Sequence, residues 1–148
     1  MIKLVRLDYR LLHGQVVFSW TGHVGAQRII VVDDDAANDE MKKSALLLSK
    51  PAGVRVNIFT VDKAIAKMPK VEQLDEKIMM IFGNTAALLK FCQAYPKIKE
   101  INYGAVANKP GSKAFDQSVF LTPEEQADTQ KLLDMALRST ASRPPPLR

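Results

Sequence analysis

Short apolar runs alternate along the chain with longer segments whose apolar positions recur at helical spacing. The short runs predict strands at residues 2–7, 28–32, 54–60, 77–82, 100–103 and 118–121. The amphipathic segments predict helices at residues 15–24, 37–48, 61–68, 85–94 and 123–137. Strands that alternate with helices predict an α/β fold in three layers, with a largely parallel twisted sheet between helices on both faces.

Polar residues mark the starts of two of these helices. Asn84 precedes the helix at 85–94 and is expected to cap it, because its side-chain oxygen can accept from a free backbone N–H. Thr122 and Glu125 have the spacing of a capping box, with Pro123 at the first helical position. The last helix should therefore begin directly after Thr122.

The end of the chain departs from this pattern. Residues 139–148 read STASRPPPLR, with three consecutive prolines and few apolar side chains. Such a segment cannot bury enough apolar surface to fix one conformation, so we expect it to be disordered. The length of 148 residues suits one hydrophobic core. We therefore expect one domain at 1–138 and a disordered tail at 139–148.

Composition narrows the class of protein. Hydrophobic residues make up 47% of the chain and charged residues 25%, as in an ordinary globular protein. No apolar run reaches the roughly 20 residues that cross a bilayer, and Arg6, Asp8 and Arg10 interrupt the first run, unlike a secretory signal. One cysteine excludes an internal disulfide. The expected compartment is the cytoplasm.

The charge balance bears on the kind of partner. Twenty-one Lys and Arg against 16 Asp and Glu give a net charge of +5. That charge suits an acidic protein, a phosphorylated ligand or an anionic membrane surface. The lysines are spread along the chain without a nucleic-acid motif, so we expect no nucleic-acid partner.

The junction of the first strand and first helix carries the strongest candidate chemistry. Ligands of such sheets collect at the carboxyl ends of the strands, where helix N-termini offer free N–H groups. Asp8, Arg10 and His13 lie there within six positions. An imidazole is a nucleophile near neutral pH, because much of it is then uncharged. A guanidinium fork can bind phosphoryl oxygens, and Gly14 and Gln15 can bring backbone N–H groups towards an anion.

The residues alone leave alternatives open. A lone histidine before a helix is more often a capping or surface residue. His23 suits the dipole at the end of the first helix or a partner contact, and Cys92 suits a small buried side chain. The acidic run Asp33-Asp34-Asp35 suits helix capping, with positioning of the loop or Mg²⁺ binding as alternatives. Two histidines and one cysteine at unrelated spacings predict no zinc site.

A longer motif surrounds His13. The segment RLDYRLLHGQVVFSW closely resembles the signature of the IIB components of the mannose/fructose/sorbose class of the bacterial phosphotransferase system (PTS). The resemblance continues through RIIVVDDDAANDEMKKSALLLSKPAGVRV and is recognisable in IFGNTAALLKF and IKEINYGAV, so it covers roughly the first 135 residues.

This resemblance implies a function. His13 would be the phosphohistidine intermediate of a protein-phosphohistidine–sugar phosphotransferase, Arg10 would stabilise the phosphoryl group, and Asp8 would orient the loop. Gly14 and Gln15 match signature positions that bind phosphate. The donor would be a phosphohistidine on a IIA protein, and the acceptor a sugar at the membrane subunits IIC and IID. The chain would then lie at the cytoplasmic face of the membrane, with no cofactor and no metal.

One residue and one segment depart from the family pattern. Tyr9 stands where many members have an acidic residue. Residues 135–148 do not resemble the family's final strand, so we expect the sheet to lack its last edge strand. An unpaired edge can pair with another chain, which makes a homo-oligomer credible.

Two other functions remain to be weighed. A non-catalytic regulatory or binding module could use the same fold. An aspartate-phosphorylated domain would need its aspartate at the end of the third strand, where Thr60 stands and Asp62 comes two residues late.

Overall fold

A parallel sheet of six strands runs through the described part of this computed structural model, residues 1–135 and 138–141. The described residues contain these six strands and two more outside the sheet. In chain order they are β1 (Ile2–Asp8), β2 (Arg28–Val32), β3 (Arg55–Phe59), β4 (Ile78–Phe82), β5 (Glu100–Ala105), β6 (Lys113–Ala114), β7 (Phe120–Leu121) and β8 (Arg138–Ala141). The sheet has the order β3-β2-β4-β1-β5-β8, and β6 pairs with β7 in a separate antiparallel ladder. β1 therefore lies inside the sheet, between β4 and β5.

Helices cover both faces of this sheet. They are α1 (Gly14–Val24), α2 (Asp34–Ala37), α3 (Glu40–Leu48), α4 (Val61–Glu72), α5 (Thr85–Ala94) and α6 (Pro123–Asp134). Consecutive residues of β2 point to opposite sides, so Ile29 belongs to the apolar cluster that includes Val17 of α1, whereas Ile30 belongs to the cluster that includes Leu88 of α5. The predicted α/β fold with helices on both faces is confirmed. Within the described residues, no helix has the length and apolar character needed to cross a membrane.

Caps and burial determine where these helices begin and end. The helix predicted at 37–48 is two helices, because Asp33 caps α2 and Asp39 accepts from two N–H groups at the start of α3. α4 continues to Glu72 although Pro69 lies inside it, and the buried side chain of Val71 holds that last turn on the core. α5 begins and ends as predicted, with Asn84 accepting from the N–H of Ala87 at 2.8 Å.

The final strand corrects a prediction from the sequence. The sheet does not lack its last edge strand, because β8 pairs in parallel with β5, from Glu100 opposite Arg138 to Tyr103 opposite Ala141. An edge strand is held by backbone hydrogen bonds on one side, so it can form from a polar sequence with a β-branched residue. Residues 139–141 of the expected disordered tail are therefore in a strand. Residues 142–148 and the predicted helix end at 137 lie outside the described residues.

Three further features describe this end of the chain. β5 is flanked by β1 and β8, so the unpaired edge that made self-association through β5 credible is not present in the described residues. The strand predicted at 118–121 is limited to β7 and lies outside the main sheet. α6 starts with the predicted capping box, in which the side chains of Thr122 and Glu125 each accept from the other residue's backbone N–H.

Cys92 lies within the core, with 1% of its surface exposed. Burial raises the pKa of its thiol to about 12, because the thiolate would lose its hydration. The prediction of a small buried side chain is confirmed, and the side chain is poorly placed to act as a second phosphoacceptor.

We expect native Cys92 to resist Ellman's reagent in mildly alkaline buffer, because the reagent needs an accessible thiolate. The release of the coloured thiol should remain at baseline in the folded protein and reach one equivalent per chain in denaturant. Stoichiometric labelling before unfolding would contradict the burial described here.

Candidate functional site

The loop between β1 and α1 lies at the carboxyl edge of the sheet. β1 ends at Asp8, which is buried with 2% of its surface exposed, and α1 begins at Gly14. The backbone N–H of Tyr9 donates to the carbonyl of Ala105 at 3.0 Å, which ties the start of the loop to β5. The first residue of the loop is therefore held in place next to an interior strand.

Asp8 organises the first turn of this loop. Its Oδ1 accepts from the backbone N–H of Arg10 at 3.0 Å and from Arg10 Nε at 3.1 Å, and its Oδ2 accepts from Arg10 Nη2 at 3.1 Å. The backbone oxygen of Asp8 accepts from the N–H of Leu11 at 3.0 Å. These hydrogen bonds raise the pKa of the Arg10 guanidinium, because they favour its charged form. Arg10 is thereby held charged and in one orientation.

Two leucines anchor the middle of the loop. Leu11 and Leu12 are both buried and pack in the apolar layer that includes Val17 of α1. Leu11 adopts a φ of 60°, in the left-handed region that L residues rarely enter. Burial of its side chain offsets this backbone strain. The chain is therefore pinned immediately before His13.

His13 occupies the N-cap position of α1 and its side chain is exposed. Among the described residues, its side chain makes no capping hydrogen bond, so the imidazole is not engaged in closing the helix. Its backbone oxygen accepts from the N–H of Val17 at 3.2 Å, which leaves the preceding N–H groups of the helix without a helical acceptor. Gly14 follows at a φ of 38°, and Gln15 is exposed. The imidazole thus stands at the positive end of the α1 dipole.

Arg6 lies directly behind this loop. From the sequence, Arg6 was noted only as a charged residue that interrupts an apolar run. In the structure it is buried, with 4% of its surface exposed. Its Nη2 lies 3.5 Å from Asp8 Oδ2, its Nη1 donates to Asn102 Oδ1, and its Cζ lies 5.5 Å from the Trp20 ring centroid. A charged residue inside an apolar strand, two positions before an aspartate, was the signal that could have identified it.

The acidic run after β2 serves to cap helices. Asp33 accepts from the N–H of Ala36 at 3.0 Å, and Asp34 Oδ1 accepts from the N–H of Val61 at 2.9 Å, so the capping interpretation is confirmed. Burial raises the pKa of the Asp33 carboxyl. Within the described residues, no cluster of three His, Cys, Asp or Glu has the geometry to bind a metal ion.

The remaining candidate, His23, lies apart from the loop. It is exposed in the last turn of α1, as the dipole interpretation requires, and its ring meets the edge of Trp20 at 5.9 Å between centroids. It shares no hydrogen bond with Asp8, Arg10 or His13 in the described residues.

The side chain of His13 is exposed on the surface of the protein. A cavity of about 540 Å³ is lined by the starts of β1 and β5, at the opposite edge of the sheet, and one of about 350 Å³ lies between β3 and α4. Neither is lined by Asp8, Arg10 or His13. A reactive side chain on open surface suits transfer to and from a protein surface better than enclosure of a small substrate.

The chain matches a family model along most of its length. Residues 2–141 match the model described as the PTS system sorbose subfamily IIB component. The sorbose-specific EIIB component of Klebsiella pneumoniae is 34% identical, and the alignment covers 97% of this chain and 90% of that protein. The mannose-specific EIIAB component of Escherichia coli K12 is 29% identical over 97% of this chain, which spans 46% of that longer relative.

Solved structures give the same result. The IIBSor domain of the sorbose permease from Klebsiella pneumoniae superposes with a TM-score of 0.88 at 32% identity, covering 97% of this chain and 91% of that one. The N-acetylgalactosamine-specific IIB component 1 from Escherichia coli superposes with a TM-score of 0.91 at 25% identity, covering 100% and 97%. With a family match that runs from β1 through β8, the chain belongs to the sorbose subfamily of PTS IIB components.

Proposed function

We propose that this subunit of a sugar phosphotransferase system carries a phosphoryl group on His13. It receives the group from a phosphohistidine of a IIA protein and gives it to a sugar at the membrane subunits IIC and IID. The observation that carries this proposal is an exposed imidazole at the start of α1, three residues after an arginine that Asp8 holds in a fork of hydrogen bonds. Family membership supports the same partners.

The proposed chemistry has two transfer steps. In the first, the phosphoryl group moves from one imidazole nitrogen to another, and in the second it moves from His13 to a sugar oxygen. The lone pair of a neutral His13 nitrogen attacks the phosphorus of the donor, and the bond from phosphorus to the donor imidazole breaks as the new bond forms. In the second half, a sugar hydroxyl oxygen attacks, the bond to His13 breaks, and the hydroxyl proton is released. Such transfer depends mainly on positioning and charge stabilisation.

The loop supplies both requirements. Arg10 has donors beyond those that bind Asp8, because a guanidinium carries five N–H groups. These donors and the first N–H groups of α1, at Gly14 and Gln15, are proposed to bind the phosphoryl oxygens. Asp8 acts as the orienting residue, since its carboxylate is buried and bonded to both the backbone and the side chain of Arg10.

Exposed aromatic side chains beside the loop suit protein partners. Tyr9 is 52% exposed and Phe18, on the second turn of α1, is 58% exposed. Large exposed aromatics near a reactive group are typical of docking surfaces. The ring of Tyr9 also lies 5.9 Å from Arg10 Cζ, so this departure from the family pattern places a ring over the guanidinium. We propose that the subunit docks at the cytoplasmic face of the membrane, where IIC and IID select the sugar.

The aspartate-phosphorylation hypothesis finds no support at the end of β3. Thr60 caps α4 by accepting from the N–H of Lys63 at 3.1 Å. Asp62 is exposed on α4 and forms an ion pair with Lys90 at 2.7 Å. Neither residue belongs to the β1–α1 loop.

Phosphate mapping tests the proposal. After incubation with phosphorylated IIA protein, we expect an acid-labile phosphate on His13, detected by mass spectrometry at neutral pH. His13→Ala should abolish labelling and keep the melting temperature, because the side chain is exposed and makes no capping hydrogen bond within the described residues. His23→Ala, which removes the other histidine of the chain, is the matched control and should label normally.

The outcomes separate the hypotheses. Label on an aspartate would support the aspartate-phosphorylated domain, and absence of label on the wild type would support a non-catalytic module. Unfolding of His13→Ala would show that the side chain has a structural role.

A second prediction concerns Arg10. Arg10→Lys should slow transfer by about tenfold or more, because an ammonium cannot bind Asp8 and a phosphoryl oxygen with a planar fork. Rapid-quench measurement of transfer from phosphorylated IIA checks this, with Arg55→Lys as control, because Arg55 is exposed at the opposite edge of the sheet. Wild-type rates in Arg10→Lys would remove Arg10 from the mechanism.

A further inference from the structure

Arg6 is a buried cation in contact with the candidate site. Its side chain is 5% exposed, and its guanidinium lies between Asp8, Asn102 and the ring of Trp20. Burial lowers the pKa of this guanidinium, because the charged form loses hydration, while the neighbouring Asp8 acts in the opposite direction. A guanidinium nevertheless stays charged at neutral pH.

The sheet is built to hold this group. Arg6 lies directly opposite Asn102 in the β1–β5 ladder, and Asn102 and Gly104 lie on the same face of β5 because side chains alternate along a strand. A Cβ placed on Gly104 would overlap Cζ and Nη2 of Arg6. Gly104 therefore leaves the space that the guanidinium fills, and the Trp20 ring of α1 also lies against this group.

Stability alone gives a poor reason for this arrangement. Within the described residues, the buried polar side-chain atoms that lack a hydrogen-bond partner are Arg6 Nε, Trp20 Nε1 and Thr21 Oγ1. Unpartnered buried polar atoms destabilise a fold, and an apolar side chain often replaces a buried ion pair without loss of stability. Arg6 and Trp20, which contact each other, lie on β1 and α1, the two elements that the loop carrying His13 connects.

The charges suggest what Arg6 contributes. Asp8 and Arg10 together would form a neutral pair, which has little net attraction for a phosphoryl group. With Arg6 also bound to Asp8 Oδ2, the three side chains carry one excess positive charge next to the loop. Arg6 thus balances the Asp8 carboxylate and leaves the charge of Arg10 available to an anion.

We propose that Arg6 is a positioning residue for phosphoryl transfer, which holds and neutralises Asp8 from below so that Arg10 presents an uncompensated guanidinium beside His13. This inference rests on the proposed function. Arg6 is buried and touches no transferred group. It acts through Asp8, and Gly104 and Asn102 of β5 hold it in place.

The test compares variants that alter this cation in different ways. Arg6→Met removes the charge at similar length, Arg6→Lys keeps the charge without the fork, and Gly104→Ala displaces the guanidinium. Gly22→Ala on α1 is the matched control, since a Cβ there meets no described atom within 4 Å. For each folded variant, single-turnover transfer from phosphorylated IIA is measured against donor concentration, which separates the maximal rate from the half-saturating concentration.

We expect Arg6→Met and Gly104→Ala to lower the maximal rate by about tenfold or more, as removal of a charge-stabilising group does. The half-saturating donor concentration should stay unchanged, because the exposed docking surface is untouched. Arg6→Lys should recover part of the rate, and Gly22→Ala should match the wild type. A melting curve for each variant checks folding, and Arg6→Lys and Gly104→Ala decide the question if Arg6→Met does not fold.

Different results would overturn the role of Arg6 and the proposed function of the protein. Maximal rates within about twofold of wild type in the folded Arg6 and Gly104 variants would overturn the inference, since positioning groups act on the rate of the chemical step. A loss confined to the half-saturating concentration would also overturn it, because it would show an effect on docking. Absence of phosphate on wild-type His13 would instead overturn the proposed function itself.

Discussion

The hydrogen-bonded pair of Asp8 and Arg10 is the constraint on which the site depends. Asp8 ends an interior strand, is almost fully buried, and accepts from both the backbone and the guanidinium of Arg10. A buried carboxylate needs such partners, because an unpaired charge in a low-dielectric interior is strongly unfavourable. The buried Asp8 therefore fixes the conformation of the loop, and this conformation places the Arg10 guanidinium near His13 in the chain.

The same loop combines a fixed base with an exposed reactive side chain. Leu11 and Leu12 are buried directly before His13, whereas the imidazole itself is on the surface at the start of α1. A phosphoryl carrier must meet at least two partners in turn, so its reactive group has to be accessible, while fast transfer needs the surrounding donors to be held in place beforehand. Anchoring below and exposure above would meet both requirements of the proposed role.

The sequence predicted most of this fold because its local signals agree. The β-branched run of β2 and the Asn84 cap of α5 each have one strong local cause. Where contacts distant in sequence decide, local reasoning failed. β8 forms because β5 offers an open edge, and Arg6 has its place because Asn102 and Gly104, about a hundred positions later, make room for it. Asp8, Arg10 and His13 share one short loop, which alone was a weak signal, and the longer motif around His13 made them specific candidates. Their roles remain predictions.

The most direct test of this account is whether the Arg10 guanidinium is held before any phosphoryl group arrives. Proton–nitrogen NMR of the unphosphorylated protein can measure the exchange of the Arg10 Nε–H with water. We predict that it exchanges much more slowly than that of Arg55, whose side chain is 73% exposed, and that Asp8→Asn removes this protection. Equal exchange at the two arginines in the wild type would show that Asp8 does not fix Arg10, and would contradict the account.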